Sequence, residues 1–173
     1  MLSRGEPLIE AFEESVRVAN YNNTAEDRRI MEDLRGRLVE QVNGLLDASP
    51  YDESNQRKAA GLVERAVVID PSSVFRNLKA TVDVEGKAYA MVLKDFDVPT
   101  QQATFTLHND TYRDDSGSVI PQETAGINGL VQNRFVVQKI NREEGVVLMD
   151  RQRDRRMIVF NRKGYDARAY RGA

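Results

Sequence analysis

The feature that most constrains the fold is a continuous apolar stripe in residues 26–46. Apolar side chains recur there at steps of three and four, at Ile30, Met31, Leu34, Leu38, Val39, Val42, Leu45 and Leu46. Because each residue of an α-helix advances by about 100°, this spacing places the side chains on one face. Charged residues occupy the opposite face, and Gln41 interrupts a strict heptad seam. The stretch therefore predicts a long helix that lies on a larger core.

Two shorter amphipathic stretches flank this helix. The first follows Pro7, a residue tolerated in the first turn, and predicts a helix over residues 5–20. The second ends before Asp70-Pro71, because the residue before a proline is displaced from the α region. Since the connections are short and polar, we predict an antiparallel three-helix segment over residues 1–72.

Beyond residue 72 the apolar period changes from about 3.6 to 2, which is typical of strands. The strands predicted from this pattern are residues 79–84, 88–96, 104–107, 134–140, 145–150 and 156–161. Glu85-Gly86 is interpreted as a tight turn, and residues 109–133 as a long loop. The predicted fold class is α+β: the helical segment, a mainly antiparallel β sandwich or small barrel over residues 73–161, and a basic extended tail over residues 162–173.

Composition excludes several classes of protein. The chain has no cysteine, which excludes disulfides, thiolate catalysis and cysteine-based zinc sites. It has no apolar run of about 18 residues, so no membrane span is predicted. No basic segment followed by an apolar core opens the sequence, which predicts cytoplasmic synthesis without a signal peptide.

Charge is distributed unevenly along the chain. Residues 1–133 carry 14 basic and 22 acidic side chains, whereas residues 134–173 carry 11 basic and 5 acidic ones. The basic residues that we predict to bind partners are Arg151, Arg153, Arg155, Arg156, Arg162, Lys163, Arg168 and Arg171. Such a cluster favours an acidic protein surface or, with interleaved tyrosines, nucleic acid. An ordinary solvated face is the remaining interpretation.

Three groups of residues are candidates for a catalytic or metal-binding site. His108 is the only histidine, and Asp95 and Asp97 would share one face of a strand, where paired carboxylates can hold Mg²⁺. Loop residues Asp110, Asp114 and Asp115 depart from the spacing of a calcium loop. Neither phosphate-binding glycine motif is present. Because solvated side chains explain all three groups more simply, we predict no enzyme activity, cofactor or metal.

Three short segments resemble pieces of the head-to-tail adaptor proteins of short-tailed phages. They are residues 27–37, Ile69-Asp70-Pro71-Ser72 and Val147-Leu148-Met149-Asp150-Arg151. The resemblance implies a place in a virion. No site residue is carried over from it.

These observations predict a non-enzymatic structural protein that makes oligomeric or multi-protein contacts, as a phage neck, tail or capsid-associated component would. Opposite charge at the two ends of a chain suits head-to-tail contacts between copies or partners. The alternative is a nucleic-acid-binding module that uses the basic C-terminal strands. A metal-assisted enzyme using Asp95, Asp97 and His108 is a third hypothesis.

Overall fold

The computed structural model describes residues 6–108 and 113–160. Its helices are α1 (Glu6–Asn22), α2 (Ala25–Asp47), α3 (Glu53–Ile69) and α4 (Ser73–Tyr89). Its strands are β1 (Val92–Asp97), β2 (Gln102–Thr106), β3 (Gln122–Gly126), β4 (Leu130–Val131), β5 (Phe135–Asn141), β6 (Gly145–Asp150) and β7 (Met157–Phe160). The α+β class is therefore confirmed. No helix in these two ranges is both long and apolar enough to cross a membrane.

The chain divides into two compact units, of which the first is helical. This helical unit contains the chain up to Leu46 and then Glu53–Asp83. Its core includes Ile9, Phe12, Leu38, Val42, Leu46, Val63, Phe75 and Val82. The rings of Phe12 and Phe75 meet edge to face, with centroids 5.5 Å apart. The stripe predicted for α2 is buried mainly toward its C-terminal end, since Ile30 remains 46% exposed.

The prediction of three helices is wrong, because a fourth helix, α4, occupies residues expected to form a hairpin. Ala80, Val82 and Val84 do alternate with polar residues, but only Val82 is buried. The longer series Phe75, Leu78 and Val82 has helical spacing and is buried throughout. Packing of this longer face decides the local structure, so Glu85-Gly86 lies within the helix rather than at a turn.

The second unit, the β unit, contains Asp47–Asp52 and the chain from Val84 onward. Strands β1, β2 and β3 form one antiparallel sheet, and β4, β5, β6 and β7 form another in that order. Both sheets contribute to one apolar cluster that includes Leu93, Phe105, Phe135, Leu148 and Ile158. No ladder joins the two sheets within the described ranges, so the predicted closed barrel does not form, and the sandwich is not confirmed.

The segment predicted as a long loop is partly ordered into strands. β3 and β4 lie within it, and an isolated bridge joins Arg113 to Val119. Between these two residues, Asp114 accepts hydrogen bonds from the backbone N–H groups of Ser116 and Ser118, at 2.9 and 3.0 Å. Such side-chain to backbone bonds fix a tight turn without regular periodicity.

Candidate functional site

Four residues of the predicted basic cluster lie in the turn between β6 and β7, where they have different exposures. Arg151 and Arg155 are exposed, the side chain of Arg153 is 17% exposed, and Arg156 is fully buried. The other four predicted residues, Arg162, Lys163, Arg168 and Arg171, lie outside the described residues. The structure therefore leaves Arg151 and Arg155 as the described members of the cluster that can meet a partner directly.

Arg153 is held by carboxylates of its own unit. Its guanidinium lies 2.8 Å from Asp47 Oδ1 and 3.3 Å from Glu85 Oε2. Glu85 is itself buried. A mostly buried ion pair is costly to break, because removal of one partner leaves the other charge without compensation. The role of Arg153 is therefore to join the β6–β7 turn to the segment Asp47–Asp52.

Arg156 contacts two aromatic rings in the interior of the β unit. Its guanidinium carbon lies 4.4 Å from the centroid of Tyr51 and 4.8 Å from that of Tyr89. The two rings stack on each other, with centroids 4.4 Å apart. Burial lowers the pKa of Arg156, but an arginine in this setting remains a cation that is attracted to the ring faces.

Arg134 and Asp150 form the centre of this buried cluster. Arg134 Nε donates to Asp150 Oδ1 at 2.9 Å, and its terminal nitrogen donates to Oδ2 at 2.7 Å. The same nitrogen donates to Glu85 Oε2 at 2.9 Å. Tyr89 Oη donates to Oδ2, and the N–H of Gln152 donates to Oδ1 at 2.8 Å. Each carboxylate oxygen of Asp150 thus accepts two hydrogen bonds, so the hydrogen-bonding capacity of this carboxylate is satisfied within the fold.

The environment of Asp150 sets its protonation. Burial raises the pKa of Asp150, but hydrogen bonds from Arg134 and Tyr89 outweigh burial and leave the pKa below the usual value for an aspartate. For Tyr89, burial and the hydrogen bond to the carboxylate both raise the pKa of the phenol. At neutral pH, Asp150 is therefore a carboxylate, Tyr89 is a neutral phenol, and Arg134 and Arg156 are cations.

This cluster was not predicted from the sequence. The sequence offered one indication: Asp150 lies on the same side of β6 as Val146 and Leu148, which are buried. A charged residue at an inward-facing strand position needs a buried partner. The sequence does not identify that partner, because it predicts a turn at Glu85 and places Arg134 at the beginning of a strand without indicating that its side chain is buried.

The acidic and histidine candidates do not converge. Asp95 and Asp97 are both exposed on β1, and Asp97 accepts hydrogen bonds from the N–H and Oγ1 of Thr100, at 3.3 and 2.5 Å. His108 is exposed after β2, and Asp110 lies outside the described residues. Within the described ranges, no group of three or more His, Asp or Glu side chains is arranged to hold a metal ion.

The remaining surface feature is the side of β5, β6 and β7 that faces away from the apolar cluster. Strand pairing aligns two rows across it: Val136 beside Met149 beside Met157, and Lys139 beside Val147 beside Val159. We call these side chains, together with Arg151 and Arg155 at one end, the outer sheet face. Val159 is 41% exposed, Val136, Met149 and Met157 are half-buried, and Val147 is buried at 4% exposure.

Two shallow depressions lie on the outer sheet face. One, of about 470 Å³, is lined by Val136, Gln138, Met149, Asp150, Arg151 and Arg155. The other, of about 480 Å³, is lined by Gln138, Lys139, Glu143, Glu144, Val147, Met157 and Val159. The face is therefore apolar in its middle, carries Arg151 and Arg155 at the β6–β7 turn, and has charges of both signs, Lys139 with Glu143 and Glu144, at the β5–β6 turn.

Comparison with protein-family models, with curated proteins and with solved structures finds no match in any of the three. The phage-adaptor resemblance of the three short segments therefore has no support from these comparisons.

Proposed function

We propose that this chain is a non-enzymatic assembly component that binds other protein surfaces through the outer sheet face. The observation that carries the proposal is that β6 is apolar on both sides. Val146 and Leu148 belong to the core, while Val147, which is buried beneath its neighbours, and the half-buried Met149 lie on the opposite side. Antiparallel sheets with one solvated face alternate apolar and polar residues, whereas a continuous apolar run is typical of a strand covered on both faces.

The neighbouring strand β7 has the same composition. Ile158 and Phe160 enter the core, and Met157 and Val159 lie on the outer sheet face. An apolar centre with charged residues at its rim is the usual anatomy of a protein–protein contact. Arg151 and Arg155 supply part of this rim, and arginine is enriched in such contacts.

The finer proposal is that the assembly is a virion, in which the chain would be a neck, tail or capsid-associated part. Its support is the sequence resemblance of residues 27–37, 69–72 and 147–151 to phage adaptor proteins, together with the uneven charge along the chain. Head-to-tail contacts between unlike surfaces generate the rings and tubes from which such parts are built.

The test compares two pairs of substitutions by light scattering at about 50 mM and about 500 mM salt, where screening differs strongly. Arg151→Ser with Arg155→Ser should reduce the mass of the particle at low salt, because it removes the basic end of the contact. The control pair, Arg65→Ser with Arg76→Ser, removes two exposed arginines of the helical unit and should behave like the wild type. Equal masses for all three proteins would reject the outer sheet face as a charged contact surface.

Nucleic-acid binding by the basic C-terminal strands is the competing proposal, and the same proteins test it. A labelled DNA duplex at about 50 mM salt should show no more than weak, nonspecific binding if the described part of the basic cluster is what contacts it, because that part exposes two arginines and two phosphate contacts release few counterions. Tight binding that weakens steeply with salt and is lost in the Arg151→Ser and Arg155→Ser protein would favour this alternative.

A further inference from the structure

We infer that the outer sheet face, at its end next to the β6–β7 turn, binds a protein segment that presents a carboxylate beside an apolar side chain. This inference rests on the proposed function and names the chemistry of the partner. The site is the depression of about 470 Å³ at this end, where Val136 and Met149 supply apolar contacts and Arg151 and Arg155 supply positive charge. A partner that fits the depression has to match both.

The two arginines carry charge that the fold does not match. Within residues 6–108 and 113–160, the guanidinium groups of Arg151 and Arg155 form no ion pair and no hydrogen bond. The neighbouring Arg153 differs, because Asp47 and Glu85 hold its guanidinium. A planar guanidinium matches the two oxygens of a carboxylate in geometry as well as in charge, so a carboxylate is the group that this end is best suited to bind.

Nearby acids do not neutralise this end. Asp150 also lines the depression, but its carboxylate is fully buried and accepts hydrogen bonds from Arg134. Asp154 is exposed in the β6–β7 turn, yet it does not line the depression and pairs with neither exposed arginine in the described part of the chain. The depression at the β5–β6 turn contains its own compensation, since Lys139 lies 3.8 Å from Glu144. The exposed positive charge therefore favours the β6–β7 end as the place where a carboxylate binds.

The apolar part of the depression contrasts with the other sheet of the β unit. There, strand pairing aligns Asp95, Thr104 and Thr124, and the two threonine hydroxyls lie 2.7 Å apart. Such a polar row is typical of a sheet face that remains in water. On the outer sheet face the aligned side chains include Val136 and Met149, both half-buried. Methionine is flexible and polarisable, so it adapts to the shape of an apolar side chain from a partner.

The spacing of the two parts defines the partner segment. Met149 and Arg151 are two residues apart, which corresponds to about 7 Å along a strand, and both line the depression. In an extended segment, alternate residues project to the same side at the same spacing. An apolar residue followed two positions later by an aspartate or a glutamate therefore reaches both parts.

The size of the surface favours a short segment over a folded partner. Three strands spaced by about 4.8 Å and about 17 Å long give a flat area of roughly 240 Å². Each side of a stable interface between folded proteins buries about 800 Å², so this face is too small to hold a second copy of the chain by itself. We therefore expect reversible binding that low salt strengthens.

Peptide binding tests the inference by fluorescence anisotropy at about 50 mM and about 500 mM salt. The probe is a labelled peptide of about eight residues, in which every second residue is serine and the others are two leucines followed by two aspartates. At low salt the wild type should bind this peptide at least about tenfold more tightly than a control peptide with asparagine for aspartate or one with serine for leucine. High salt should reduce the first difference.

Protein variants locate the binding. Arg151→Ser with Arg155→Ser should bind the aspartate peptide about tenfold more weakly and should no longer distinguish it from the asparagine peptide. The control pair, Arg65→Ser with Arg76→Ser, should bind like the wild type, and circular dichroism checks that both proteins remain folded. Equal binding of the aspartate and asparagine peptides by the wild type, an equal loss in both variants, or no binding up to about 1 mM peptide would overturn the inference.

Crosslinking separates a failure of this inference from a failure of the proposed function. Gln138 is exposed and lines both depressions, so a photo-crosslinking residue in its place samples the whole face. After activation in the cells that produce the protein, mass spectrometry identifies the attached segment. A segment of another protein with the apolar and acidic spacing supports the inference. A segment without acidic residues, or a second copy of this chain, overturns the inference but agrees with the proposed function. The absence of any protein product contradicts both.

Discussion

Arg155 and Arg156 are adjacent in the sequence and occupy opposite environments. Asp154 and Arg155 have positive φ angles of 47° and 55°, which is uncommon for residues other than glycine. This local conformation ends the turn and leads the chain into β7 with Arg155 exposed and Arg156 inside. Two residues that look equivalent in a basic cluster therefore have different physical roles.

Alanine substitution should separate these roles. Arg156→Ala should lower the free energy of unfolding by about 3 kcal/mol, because it empties a fully buried volume and removes the cation from the rings of Tyr51 and Tyr89. Arg155→Ala should change it by no more than about 0.5 kcal/mol. Urea denaturation measures both values. Arg156→Met, which retains much of the volume, should cost less than Arg156→Ala, and equal losses at positions 155 and 156 would contradict this assignment.

Acid should destabilise the β unit through Asp150. Because the pKa of Asp150 is lowered in the folded chain, its contribution is fully present above the ordinary value of 3.8. The contribution is lost as the pH falls through the lower folded value. The free energy of unfolding should therefore decrease on acidification below about pH 4, beyond the decrease caused by the exposed carboxylates.

Two substitutions isolate this effect in denaturation curves measured from neutral to strongly acidic pH. Asp150→Asn should cost about 3–5 kcal/mol at pH 7, since it removes the buried carboxylate that accepts two of Arg134's hydrogen bonds and leaves Glu85 to compensate that charge, and it should flatten the acid dependence. Tyr89→Phe removes one donor to Asp150 and should shift the loss of stability to higher pH. Acid dependence that is unchanged in both proteins would show that Asp150 titrates with its ordinary value.

At the scale of elements, α2 contains two glycines whose presence is not explained by packing. A Cβ built at Gly36 or Gly44 meets nothing within 4 Å, so neither allows a close approach of another element. Gly36→Ala with Gly44→Ala should raise the free energy of unfolding by about 1–2 kcal/mol, because alanine is favoured over glycine within a helix. Thermal unfolding measures the gain.

The matched control for this prediction is Gly145, at the start of β6. It has φ of +86°, a conformation that costs other residues about 1–2 kcal/mol. Gly145→Ala should therefore destabilise the chain, whereas the two helix substitutions stabilise it. A loss of stability on substituting Gly36 and Gly44 would reveal a requirement for glycine in α2 that side-chain packing does not account for.

The elements differ in how well the sequence predicts them. α2 is long enough for its 3.6-residue period to exclude alternatives, and β6 combines a short apolar run with turns on both sides. α4 was mistaken for a hairpin because Ala80, Val82 and Val84 fit a period of 2 over a short window. The correct period becomes visible only when Phe75 and Leu78 are included. Short windows fit both periods, so the choice is made by burial against other elements.

The candidate surface was predicted less completely than the fold. Charge patterning grouped Arg151 and Arg155, which are exposed, with Arg153 and Arg156, which are not. Their burial depends on Asp47, Glu85 and the two tyrosine rings, which are distant in sequence. The apolar outer side of β5, β6 and β7 was visible as a run of hydrophobic residues, but the side that each residue faces requires the strand register.

For the whole molecule, the uneven charge along the chain overstates the charge available to a partner. Among the described residues from 134 onward, Arg134, Arg153 and Arg156 lie inside the β unit, while Asp150 compensates Arg134. Long-range attraction depends on the exposed charges that remain, and salt screens exposed charges more strongly than buried ion pairs. The two salt concentrations proposed above therefore test the surface charge of the folded molecule rather than the total charge of the sequence.

The connection between α2 and α3 belongs to the β unit, although the helices on both sides belong to the other unit. Met157 N–H donates to Ser49 Oγ at 3.3 Å, and Tyr51 N–H donates to the carbonyl of Met157. Neither unit is therefore encoded by one uninterrupted stretch of gene. A shortened gene that begins at α4 would supply every described strand but omit the ring of Tyr51, so a complete β unit also requires the coding sequence that precedes α3.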